Sequence, residues 1–285
     1  MKKIIKIFCF IFVILIMSGC TKDSMENIKI YTSIYPIEYI ANELYGNYST
    51  IVSMYPSDVN PYEYKLTQKQ LKNFSTSDLI IYDGLGSEKD YIVQMSNYNK
   101  KLKIIDSTAK IEYTNSIDEI WINPSNMITI AENIKSGLYE YISSKTIQDE
   151  IDKNYESLKL DLSTIDANIK DAVENAKDKN IVIADDDLII LSKYGLEITS
   201  IDEKTLTDKE LSDAKYLLNN DKIDYIFVKK GYKETDTMKN LKSKYDAKYL
   251  EIDMLNNISS DNKNNNKNYL NIMNENIDKL KEELY

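Results

Sequence analysis

The chain has no histidine and no arginine, and its two cysteines, Cys9 and Cys20, both fall within the first twenty of 285 residues. Each absence excludes something. Without histidine no Ser–His or Cys–His nucleophilic set can be assembled, and a metal ion would find no imidazole. With both cysteines in the leading segment, the remainder has neither a disulfide nor a thiolate site. The stretch "DGLGSE" (83–88) has too few glycines, and no Lys-Ser/Thr pair, for a phosphate loop. Positive charge is in deficit: 36 lysines face 46 acids, for a formal charge of −10. Lys2, Lys3 and Lys6 carry three of those positive charges, so the rest of the chain stands at about −13. Such a surface repels phosphate backbones and argues against a nucleic-acid partner. It suits a cationic ligand, although acidity also serves solubility. The abundance of Lys, Asn and Ile reads as coding bias and carries no functional weight. Paired carboxylates could run glycoside chemistry, but nothing sets two of them across a sugar groove. An enzyme is the class least supported, and no motif calls for an organic cofactor.

What is present begins with a signal. Three lysines precede the apolar run "IFCFIFVILIM", which is too short to span a bilayer comfortably and ends in small residues. Met17, Ser18 and Gly19 before Cys20 form a lipobox, so residues 1–19 read as a lipoprotein signal peptide and Cys20 as the lipidated residue. An uncleaved membrane anchor is the competing reading. Acylation, palmitate included, would hold the mature protein on the extracytoplasmic face of the cell membrane with no spanning helix. About 265 residues remain.

Short apolar runs alternate with helical patterns in two blocks. In the first, 28–34, 50–55, 78–84 and 102–106 read as buried strands, with helices over 36–45, 67–76 and 88–98. In the second, strands at 180–185, 196–201, 224–228 and 247–253 surround helices near 187–194, 207–219 and 233–245. Thr67–Gln70 and Thr207–Glu210 have the form of capping boxes. Such alternation predicts parallel sheets covered by helices. Between the blocks, Ile147, Ile151, Tyr155, Leu158, Leu162, Ile165, Ile169 and Val173 recur at steps of three and four, with no Gly or Pro among them. That is one apolar stripe on an amphipathic helix about 40 Å long, a strut that crosses both lobes. The polar segment 256–268 reads as a mobile loop, and 269–285 as a closing helix. The expected fold class is α/β: two parallel-sheet lobes joined by one long α-helix, with a ligand cleft between them. Its divisions are the signal (1–19), an N-terminal lobe with its tether (20–143), a linking helix (144–178) and a C-terminal lobe (179–285).

Open parallel sheets bind ligands beyond the carboxyl ends of their strands. Applied here, the rule nominates Asp58, Tyr62, Glu63 and Tyr64 after the second strand, Asp185–Asp187 after the fifth, and Asp253 after the last. Asp118 and Glu119 precede "IWINP", where Trp121 is read as a packing anchor and Pro124 leads into a helix. The three aspartates at 185–187 could also be no more than a helix N-cap.

The lipobox, "YTSIYPIEYIANELYG", "NPYEY", "DLIIYDGLGSE", "IWINP", the strut and "SKYGLEITSI" come in the order seen in the zinc and manganese receptors of bacterial ABC importers. The chain resembles these solute-binding lipoproteins, some first described as adhesins, over essentially its whole mature length. The resemblance implies a monomeric receptor that captures a divalent metal, manganese or zinc, as transported ligand for an ABC permease and its ATPase subunit. Carried over position by position, the family's metal ligands fall on Tyr62, Glu119, Asp185 and Asp253, with Glu63, Tyr64 and Trp121 as other cleft residues. Tyr62 stands where the family has its first histidine, Glu119 where it has the second, and the third ligand position is Ala184, followed by Asp185. An all-oxygen set suits harder cations such as manganese, whereas zinc prefers imidazole and thiolate. The alternatives are a same-fold receptor for a small organic solute, its tyrosines stacking on a ring, and a surface adhesin.

Overall fold

The computed structural model describes residues 25–285; the signal segment, with Cys9 and Cys20, lies outside the described residues. Two four-stranded sheets, each wholly parallel, form two lobes. The N-terminal sheet holds β1 (Ile28–Thr32), β2 (Ser49–Ser53), β3 (Leu79–Tyr82) and β4 (Lys103–Asp106) in the order β2-β1-β3-β4. The C-terminal sheet repeats that plan with β5 (Asn180–Ile183), β6 (Glu197–Ser200), β7 (Tyr225–Lys229) and β8 (Lys248–Ile252) in the order β6-β5-β7-β8. In each sheet the order reverses between the first and third strands of the lobe. Loops leaving a strand pair at such a reversal diverge to opposite faces and open a crevice there. The crevices lie beyond Thr32 and Tyr82 in one lobe, and beyond Ile183 and Lys229 in the other.

The helices follow local rules. α1 (Tyr35–Tyr45) opens with a proline in its first turn, where a missing N–H costs nothing. α2 (Gln68–Phe74) starts at the Thr67–Gln70 capping box. α3 (Glu88–Tyr98) precedes β4, and α4 (Pro124–Tyr141) is capped by Asn123, whose side chain accepts from Ser125 N–H. The linking helix, α5 (Lys145–Glu174), is 30 residues long, about 45 Å. All eight positions of its apolar stripe are buried, while Leu160 on the opposite side is 68 % exposed. α6 (Asp208–Asn219) carries the second expected capping box and α7 (Asp236–Tyr245) precedes β8. Short α8 (Ser260–Asn264) and the closing α9 (Tyr269–Leu284) complete the chain. The strut packs against α1, α4 and α9, and Tyr269 of α9 donates to the Trp121 carbonyl of the N-terminal lobe at 2.7 Å.

Alternation within the strands sorts the core. Ile181, Ile183 and Phe227 join one apolar body with the strut, α9 and the N-terminal lobe. Val182, Ile226 and Val228 face α6 and α7 in a second cluster. Both faces of the sheet are covered, as parallel sheets require. Two expectations change. The stretch 187–194 is a 3-10 helix (Asp186–Tyr194) and not an α-helix; at about 2.0 Å per residue it covers the short crossover to the adjacent strand with fewer residues. Segment 256–268 contains α8 and is bonded to the other lobe at several points, as set out below. Among the described residues no helix is long and apolar enough to cross a membrane.

Candidate functional site

A cavity of about 330 Å³ opens between the lobes at the strand ends, lined by Asp58, Asp118, Lys229, Lys230, Asp253 and Asn256 among others. Lys229, which lines it, ends β7 two residues beyond Phe227, and Asp185 stands two residues beyond Ile183 of β5, so strand alternation puts both on the side of the joint core. Lys229 Nζ stands 2.8 Å from Asp185 Oδ2 and 2.6 Å from Asp187 Oδ2. Asp185 is held in turn by capping its own 3-10 helix, its Oδ1 accepting from Asp187 N–H at 3.1 Å. Asp118 faces this group from the other lobe, on a 3-10 turn (Ile117–Ile120) that packs against Asp186–Tyr194. Its Oδ1 accepts from the Asn256 amide at 3.1 Å.

Charge is tightly managed here. Burial pushes the Asp118 carboxyl up to about 6, with Asn256 and Lys229 pulling it down and Asp187 and Asp185 pushing it higher. Burial raises Asp185, and the Lys229 bond reverses this only in part. Burial acts on Asp187 too, but hydrogen bonds from Lys229 and Ser116 outweigh it and hold that carboxyl below the usual range. For Lys229, burial alone would favour the neutral amine; the two carboxylates overturn that and raise it. Lys229 is therefore an ammonium throughout the physiological range.

The residues named from the resemblance do not share one point. The Tyr62 hydroxyl accepts from Trp121 Nε1 at 2.6 Å, so the indole takes one of its lone pairs. Glu119 is buried and turned back on its own loop, accepting from Thr114 N–H at 2.5 Å and Asn115 N–H at 3.2 Å. Asp185 pairs with Lys229. Asp253 pairs with Lys230 at 3.0 Å and accepts from Leu255 N–H with its other oxygen. Glu63 is exposed; Tyr64 packs edge-on against Tyr55, with ring centroids 6.0 Å apart. Trp121 is fully buried, the anchor expected, though its N–H also fixes Tyr62. Among the described residues no three acidic or thiol side chains are grouped to hold a metal ion. Two carboxylates, Asp185 and Asp187, hold one cation position, and the Lys229 ammonium stands in it. Lys229, Lys230 and Asn256 escaped the sequence reading, which searched the strand ends for carboxylates. The signal for Lys229 was present in "DYIFVKK": a charge two residues beyond an inward Phe227, at the end of a central strand.

The segment after β8 ties the lobes together. The Asn257 amide donates to the carbonyls of Pro56 and Val59, each at 2.7 Å. Asp58, in the left-handed region at φ 64°, accepts from the N–H of Ser260 at 2.9 Å and from its hydroxyl.

Two parallel-sheet lobes, one continuous helix behind them and a charged cleft at their strand ends define a two-lobe solute receptor. The chain belongs to the family described as zinc-uptake complex component A, periplasmic, whose model matches residues 30–283. This is a family of metal-receptor components of importers, not of enzymes. The chain is 22% identical over 263 residues to the metal ABC transporter substrate-binding lipoprotein FimA of Streptococcus parasanguinis, covering 82% of this chain and 84% of that one. To the manganese ABC transporter substrate-binding lipoprotein PsaA of Streptococcus pneumoniae it is 23% identical over 236 residues, covering 75% and 76%. In structure it is similar to the zinc-bound ZnuA-like domain of Streptococcus pneumoniae AdcA, with a TM-score of 0.73 at 19% identity over 90% of this chain and 99% of that one. At that identity the likeness is one of fold.

Proposed function

We propose that the protein is the extracytoplasmic receptor of an ABC importer, capturing a divalent cation of the manganese or zinc class in its cleft for a permease and its ATPase subunit. The observation that carries this reading is that Asp185 and Asp187 together hold one cation, the Lys229 ammonium, beside the charged cleft that Asp118 lines from the other lobe. The donors are all oxygen, which moves relative preference toward manganese compared with a histidine-lined cleft, even where zinc keeps the higher absolute affinity. In this reading Asp185 is a ligand, Asp253 holds Lys230 at the rim, and Tyr62 and Glu119 brace the loops behind it through Trp121 and the Thr114 and Asn115 amides. A lipid on Cys20 would tether the protein, as a monomer, to the membrane it serves.

The test is calorimetric titration of metal-free protein with Mn²⁺, Zn²⁺ and Mg²⁺, alongside thermal melts. One saturable site is expected, and at 100 times its dissociation constant the ion adds about 2.7 kcal/mol of stability. Asp185→Asn should weaken binding about tenfold or more while the protein stays folded. A folded wild-type protein that gives no binding heat with any of the three ions would end the metal reading.

A further inference from the structure

We infer that Lys229 is a built-in cation: its ammonium fills the place that cargo would take, so a metal ion binds only by displacing it. The identity of the competing ion rests on the receptor reading above; the placement of Lys229 rests on geometry alone. Its backbone is fixed, because Lys229 ends β7 in register with Ile252 of β8. Its side chain reaches two carboxylates on the turn leaving the neighbouring strand, at 2.8 and 2.6 Å, and it lines the same cavity as Asp118 of the opposite lobe. An ion at coordination distance from these oxygens would stand where Nζ stands. The lysine side chain is 34 % exposed, so its flexible four-carbon stem has a way out to solvent. Two carboxylates against one ammonium, with Asp118 a further acid on the same cavity, leave the surroundings of this position negative on balance. While no ion is bound, the ammonium spares buried carboxylates from facing one another unpaired. The consequence is affinity set by competition: the binding-competent state is the one with Lys229 swung out, and its population discounts every measured dissociation constant.

Lys229→Met, with Lys229→Gln as a second variant should the first misfold, tests this by calorimetry with Mn²⁺. The expected result is tighter binding than wild type, by about tenfold or more, and a larger rise in melting temperature on saturation. A second measurement uses the unmodified protein: acylation by an N-hydroxysuccinimide ester, mapped by mass spectrometry. Lys229 should react far more slowly than Lys145 and Lys170, whose side chains are 76% and 66% exposed, and should speed up when Mn²⁺ saturates the site. Equal or weaker binding by a folded variant, in a protein that does bind Mn²⁺, overturns the inference and leaves the receptor reading intact. Lys229 acylating as fast as Lys145 overturns it whatever the calorimeter shows. If no variant binds any ion while Lys229 remains shielded, the metal reading falls and the tethered cation stands.

Discussion

Glu88 sits at 1 % exposure with Oε2 unpartnered, and Asp83, fully buried, has an unpartnered Oδ2. Both oxygens face the space above Gly86, where an added Cβ would stand 2.2 Å from one and 3.1 Å from the other. Burial, and then Asp83, raise Glu88 from 4.5 to about 7, with its own amide and Tyr55 pulling back. The sign follows from proton counting. Between pH 4.5 and 7 the folded state keeps a proton the unfolded chain has released, so stability falls as pH rises through that window. Below it both states are protonated and this contribution is flat; above it the full cost is present. Glu88→Gln removes the charge and offers an N–H toward Asp83 Oδ2. It should stabilise the protein at pH 8 by roughly 2–3 kcal/mol and flatten the slope between pH 4.5 and 7 in urea melts. An unchanged pH profile in the variant would show that Glu88 is ionised in the fold at neutral pH. At this scale the sequence was legible only in part. The strand-end rule reached Asp185 and Asp253, but it names loops, and side-chain direction within a loop is set by local bonds. Glu119 turns to the amides of Thr114 and Asn115, which no periodicity announces. Partners distant in the chain, such as Asp118 and Asn256, are joined only by the fold.

Elements were far easier to read, because an apolar period is written along each one. The strut's stripe and both threonine capping boxes stand where their spacing places them. Strand ends shifted by a residue or two because apolar runs spill into buried loops; Ser33 and Ile34 are as buried as the strand before them. What the pattern does not show is how closely elements approach. Gly137 lets α4 lie against β4: a Cβ there would meet both Cγ1 and Cγ2 of Ile105 at 2.7 Å. A β-branched side chain in a strand cannot swing both carbons aside. Gly137→Ala, normally favourable in a helix, should therefore destabilise the protein by about 1–3 kcal/mol, measured by chemical denaturation. A stabilised variant would mean that the helix can slide off the sheet at no cost.

At the scale of the molecule, the proposed attachment through Cys20 can be tested apart from the fold. Cys20→Ala should shift the protein from the membrane fraction to the medium, or leave it unprocessed, without altering the melting temperature of the mature domain. A fully membrane-bound variant would point to an uncleaved anchor instead. The two lobes are less separable. One helix is buried against both, α9 returns from the second lobe to the first, and the 256–260 segment bonds across the opening. If a body braced on three sides keeps its outline on loading, a docking permease has little shape to read. On the inference above, what would change is the electrostatic face of the cleft: a lysine moved outward and a dication taken in. The receptor would announce its load as a local change of sign at its mouth, a message that weakens with ionic strength and carries no further than about 10 Å in ordinary salt.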